Sequence, residues 1–92
     1  MQGIKINIFI AGMTPAARRA ISNMERICAQ IDEGKTYSIS VIDIIENPDA
    51  ADENRILATP TVIKELPPPI RKLVGDLSDQ DQVFAGLDLE PI

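Results

Sequence analysis

The sequence offers few of the residue types that carry enzyme chemistry: it has one cysteine, Cys28, and no histidine. Those counts exclude a Ser-His-Asp triad, a Cys-His pair and the usual zinc ligand sets built from the chain's own residues. Cys28 belongs to the series Ala17, Ala20, Ile21, Met24, Ile27, Cys28, Ile31, whose i, i+3, i+4, i+7 spacing makes one apolar helix face. It therefore reads as a packing residue rather than a nucleophile. Asp49, Asp52 and Glu53 suggest a metal, yet carboxylates near a helix start are expected from the helix dipole, and that reading is preferred. Arg18, Arg19 and Arg26 form either a docking patch or an ordinary solvated face, and the solvated face is the simpler account. Neither a cofactor nor a metal is expected.

The elements that position these groups belong to one small domain of 92 residues. A chain this short buries roughly two-thirds of its unfolded surface, so self-association or a partner would add useful stability. Nine basic residues against 14 acidic ones give a net charge of -5, which argues against a phosphate-backbone ligand. A single cysteine without a signal-peptide pattern points to a reducing, cytoplasmic setting. No apolar run approaches the ~20 residues of a membrane span.

Residues 4 to 11 place Ile4, Ile6, Ile8 and Ile10 on one face at period two, a strand. Thr14 is a helix cap and Pro15 a first helical residue, and the helix runs on to Gly34. A second strand covers Tyr37 to Ile45, and strand, long crossover helix, strand makes a parallel βαβ unit. Asn47-Pro48 opens a helix through about Leu57.

Beyond that point the signals conflict. Thr61-Val62-Ile63 is β-prone and follows Pro60, a candidate for a cis bond, while Pro67-Pro68-Pro69 forbids a continuous helix or central strand. Residues 70 to 74 suit a short strand or one helical turn. Ser78 is a cap for a last helix from about Asp79, with Val83, Phe84 and Leu87 inward and Gly86 inside it at a penalty of about 0.5–1 kcal/mol.

Ala58-Thr59-Pro60-Thr61, Leu66-Pro67-Pro68-Pro69-Ile70-Arg71, Val74-Gly75-Asp76-Leu77-Ser78 and Gly86-Leu87-Asp88-Leu89 follow one another in an order that resembles the KaiB family of clock proteins. Phe9-Ile10-Ala11-Gly12, Thr14-Pro15 and Val41-Ile42-Asp43 extend the match over nearly the whole chain. The resemblance implies an α/β, thioredoxin-like domain spanning residues 1–92 that makes and breaks no covalent bond. It also implies two folds: a homotetrameric (or dimeric) resting form with order βαββααβ and a monomeric, partner-bound form with order βαβαββα. Residues 1–46 would keep their βαβ unit in both, and residues 47–92 would be rebuilt, with the two packings a few kcal/mol apart. For an isolated chain the resting order is expected.

The implied partner is a KaiC-like hexameric ATPase, whose phosphorylation or access to other partners the protein would alter. Carried over by position, partner contacts fall on Arg19 and Arg55, and control of the fold switch on Pro60, Pro68, Pro69, Gly86 and Asp88. The chain stops at Glu90-Pro91-Ile92 where clock members carry a further acidic tail, which leaves open a stress-adaptation system or a stand-alone oligomeric stress protein. A thioredoxin-like thiol enzyme is disfavoured, because Met13-Thr14-Pro15-Ala16 stands where thioredoxins carry Cys-x-x-Cys.

Overall fold

A computed structural model describes residues 3–31 and 37–89. The described elements are β1 (Ile4–Ile10), α1 (Pro15–Ile31), β2 (Tyr37–Asp43), α2 (Pro48–Glu53), β3 (Thr61–Leu66), β4 (Arg71–Val74) and α3 (Gln80–Gly86). They form a four-stranded sheet in the order β2-β1-β3-β4, with β2 parallel to β1, and β3 and β4 each antiparallel to the strand before it in the sheet. The order is βαβαββα, the thioredoxin-like arrangement, and not the resting order expected for an isolated chain. The physical reason lies in residues 80–87. Val83 and Leu87 are buried at helical spacing with Phe84 half-buried beside them, and Asp79 accepts a hydrogen bond from the Gln82 amide to start a helix. A strand would have required period two.

The central strand β1 is apolar along the whole of one face, where α1 covers it, and on the other face only at Phe9, since Lys5 and Asn7 there bond to Glu65. Ile6, Ile8 and Ile10 are buried with Ala17, Ala20, Met24, Ile27, Cys28 and Ile31 of α1 and with Val62, Leu77, Val83, Leu87 and Leu89. Phe9 points the other way, into a smaller cluster with Ile56 and Ile63 against which Ala50 and Ala51 of α2 pack. Thus α1 and α3 lie on one side of the sheet and α2 on the other. The start of α1 follows the expected chemistry: Thr14 Oγ1 accepts from the Ala17 amide at 3.1 Å. The helix end expected at Gly34 falls outside the described residues. None of the described helices is long and apolar enough to cross a membrane.

Several boundaries differ from expectation. Strand β2 ends at Asp43 rather than Ile45, because the Asp43 carboxylate accepts from the Ile45 amide at 2.9 Å and turns the chain. Strand β3 runs on through Lys64-Glu65-Leu66, since Ile6 pairs with Lys64 and Lys5 with Leu66. Residues 71–74 are a strand, paired with β3. The cap of α3 is Asp79, while the Ser78 amide donates to Asp76 Oδ1 at 3.1 Å.

Asp76 ties the connector between β4 and α3 to the first helix. Arg19 Nε donates to its Oδ2 at 2.9 Å, and Asn23 Nδ2 donates to its carbonyl at 2.9 Å. These bonds hold the backbone where Leu77, buried, takes φ +64°. The hydrogen bond from Arg19, followed by those from Ser78, holds the Asp76 carboxyl below its ordinary value of 3.8. A carboxyl whose folded value is depressed contributes stability above its unfolded value, and that contribution is lost as pH falls through the folded one. In urea titrations at a series of pH values, the wild-type midpoint should therefore drop below about pH 4. Asp76→Asn should have a lower midpoint at neutral pH and a shallower acid limb.

Candidate functional site

The two short helices of the C-terminal half end in the same way. After α2, the Ile56 amide donates to the Ala51 carbonyl at 2.9 Å and the Arg55 amide to the Asp52 carbonyl at 3.3 Å. After α3, the Leu89 amide donates to the Phe84 carbonyl at 3.0 Å and the Asp88 amide to the Ala85 carbonyl at 3.4 Å. Each pair is a Schellman motif, a helix stop in which the residue just past the cap adopts the left-handed conformation. That residue is usually glycine. Here it is Arg55 at φ +53° and Asp88 at φ +53°. The apolar contact that accompanies the motif is also present, with Ile56 and Ala51 in one cluster and Leu89 and Phe84 in the other.

A lysine from the sheet closes each stop. Ile63 is paired with Lys72 and Lys64 with Arg71, so Lys72 stands beside Ile63 on the α2 side of the sheet and Lys64 beside Val62's face on the α3 side. Lys72 Nζ donates to the carbonyls of Asn54 and Arg55, each at 3.0 Å. Lys64 Nζ donates to the Asp88 carbonyl at 3.3 Å, and Lys64 is 1% exposed. Burying an ammonium group is unfavourable unless it is paired, so the Lys64 bond fixes where the chain after α3 must lie. Neither lysine was legible as a cap in the sequence, because each comes from a strand distant from the helix it serves. The signal that did exist was the pair of apolar residues spaced five apart, Ala51 with Ile56 and Phe84 with Leu89.

The turn after α2 faces solvent. Arg55 is exposed and Leu57 is 97% exposed. A cation and an apolar side chain two residues apart, on a backbone held at Asn54, Arg55 and Ile56, suit an acidic partner surface with an apolar pocket. Arg19 does not join them. It lies on α1, across the sheet from α2, and its guanidinium is engaged by Asp76. The two basic residues carried over as partner contacts therefore do not form one patch.

The residues carried over as switch control are dispersed. Cis bonds precede Pro60, Pro67 and Pro69; the sequence had singled out Pro60, Pro68 and Pro69. Pro60 is buried at the start of β3, and the other two lie in the turn between β3 and β4. Gly86 ends α3 under β4, where an added Cβ would stand 3.1 Å from Leu73 Cδ1. Asp88 is the left-handed residue just described. Cys28 is 0% exposed on the core face of α1, and the loop at the start of that helix, Gly12-Met13-Thr14-Pro15, presents no thiol. A shallow open groove beside Met13, Arg18, Ile21, Ser22 and Glu25 carries no convergent polar chemistry. Among the described residues, no cluster of His, Cys, Asp and Glu could hold a metal ion.

A left-handed conformation costs an ordinary residue roughly 1–2 kcal/mol, and glycine escapes most of that penalty at some loss of unfolded-state restriction. Arg55→Gly is therefore expected to stabilise the protein by about 1 kcal/mol, read as a higher urea midpoint at unchanged slope.

Comparison with known proteins places this geometry in a family. The model of the KaiB domain matches residues 7–89. The chain is 42% identical over 91 residues to the circadian clock protein KaiB3 of Synechocystis sp., covering 99% of this chain and 88% of that protein. It is 48% identical over 84 residues to the circadian clock oscillator protein KaiB of Gloeothece citriformis, covering 91% and 78%. Among solved structures it resembles the N-terminal domain of Synechococcus elongatus SasA, with TM-score 0.78 at 24% identity over 98% of this chain and 88% of that one. Mitochondrial thioredoxin 3 of Saccharomyces cerevisiae aligns with TM-score 0.70 at 16% identity over 96% and 79%. These two likenesses establish a thioredoxin-like fold. The match over residues 7–89, together with relatives identical to it at more than two-fifths of the aligned positions, makes this chain a member of the KaiB family.

Proposed function

We propose that this protein is a binding regulator, without catalytic chemistry of its own, that docks on a KaiC-like hexameric ATPase in the cytoplasm and alters its phosphorylation or its access to other partners. The system it serves is circadian or one of stress adaptation. Support for the clock reading comes from the family and from relatives called circadian clock proteins. The docking surface is the turn that ends α2. The observation that carries this is Arg55: a long cationic side chain kept, exposed, at a left-handed position that glycine would occupy at lower free energy. Leu57 beside it supplies the apolar anchor.

In this proposal residues 1–46 are a constant half. Residues 47–92 exchange between the arrangement described above and a resting, homo-oligomeric one, with Pro60, Pro68, Pro69, Gly86 and Asp88 setting the balance. Affinity for the ATPase is then scaled down by the fraction of chains not in the competent arrangement. Arg19 acts within the molecule, through Asp76, as much as toward a partner.

The test is light scattering on a sizing column after hours of incubation with the ATPase ring and nucleotide. Wild type should move slowly into a ring-sized complex. Arg55→Gly, although more stable, should bind roughly tenfold more weakly, and Leu57→Ala about fivefold or more. Wild-type affinity in Arg55→Gly would remove the turn as the docking surface. Failure of the wild type to join the ring with any nucleotide would remove the function.

A further inference from the structure

Lys72 sits on an edge strand, is exposed, and has no part in the sheet's apolar packing. Its position nonetheless determines what the end of α2 can do. A helix of six residues leaves its last carbonyls without intrahelical donors. The Schellman bonds use those of Ala51 and Asp52, and the Asn54 amide and side chain use that of Ala50, at 3.2 and 2.8 Å. Past the helix, in the turn itself, Lys72 Nζ takes the carbonyls of both Asn54 and Arg55. The Arg55 carbonyl belongs to the residue held at φ +53°, so the ammonium group bridges the two peptide units that define the left-handed step. A cation at this end of a helix is also favoured by the helix dipole.

From this geometry we infer that Lys72 is a positioning residue for partner docking: by clamping the Asn54 and Arg55 carbonyls it holds the turn so that Arg55 and Leu57 project together into solvent. The inference rests on the docking reading given above. Lys72 need not touch the partner. Its effect is on pre-organisation: a turn already held in its bound shape loses less freedom on association, so loosening it raises the dissociation rate.

The experiment has two readouts on three proteins: wild type, Lys72→Met, which keeps the aliphatic stem and removes the donor, and Lys72→Arg, which restores a bidentate donor. The first readout is amide hydrogen exchange of the isolated chain. Exchange at Arg55, Ile56 and Leu57 should rise about tenfold in Lys72→Met, return toward wild type in Lys72→Arg, and remain unchanged at Ile6 and Ile8 of β1. The second is dissociation from the KaiC-like ATPase ring, which should be about five- to tenfold faster in Lys72→Met and be rescued by Lys72→Arg.

Unchanged exchange at residues 55–57 in Lys72→Met overturns the clamp whatever the binding result, and weaker binding with unchanged exchange assigns Lys72 a direct contact instead. Loosened exchange with wild-type dissociation also overturns the inference, while leaving the docking reading in place. If wild type itself never binds, the docking reading fails and this role for Lys72 fails with it.

Discussion

A helix of six or seven residues leaves most of its backbone carbonyls without an intrahelical donor, and both α2 and α3 are that short. Something outside each helix must supply those donors, or the helix does not persist. In this protein the supply comes from the residues immediately following the helix, folded back through a left-handed turn whose own carbonyls are held by one lysine of the sheet. The alternation of the sheet assigns the lysines: Lys72 goes to the α2 side and Lys64 to the α3 side. Strands β3 and β4 and the two helices therefore depend on one another. Neither helix end is complete without the sheet, and Lys64 would be a buried, unpaired charge without the turn after α3.

That dependence has a functional side. Residues in left-handed conformations are strained unless they are glycine, and strain is retained where the surrounding structure over-determines it. In the docking proposal, Arg55 carries its strain in exchange for an exposed cationic side chain two residues from Leu57. Asp88 carries the same strain at the end of α3, next to Gly86, whose missing Cβ leaves room for Leu73. Arg55 and Asp88, like Leu77, lie in the half for which two arrangements are proposed, whereas the first half is held by a long amphipathic helix on the apolar face of β1. Where the halves meet, Asp76 is held by Arg19 and Asn23, so the contact has one acidic group at its centre.

The N-terminal half was legible because its periodicities are unbroken. Four isoleucines at period two and seven apolar residues at helical spacing specify β1 and α1, and Thr14-Pro15 specifies where α1 begins. The C-terminal half was obscured by residues whose local preferences the tertiary structure overrides. Lys64 and Glu65 break an apolar run that continues as a strand, and the buried lysine is explained by a carbonyl 24 residues away. Arg55 and Asp88 give no sign of left-handed turns, since the usual marker is glycine. The family resemblance singled out Arg55 as a partner contact and Asp88 as a position of fold-switch control. The geometry adds that both stand in left-handed conformations at helix ends, and it puts Arg19 and Arg55 on opposite sides of the sheet.

The most direct test of the docking account is site-specific photocrosslinking to the ATPase ring, with the crosslinking side chain placed at Leu57 in one variant and at Ser22 in another. Ser22 lies on the solvent face of α1, across the sheet from the turn after α2. The account predicts a nucleotide-dependent crosslink from position 57 and none from position 22. A crosslink from position 22 with none from position 57 would contradict it, and would move the interface to the opposite face of the molecule.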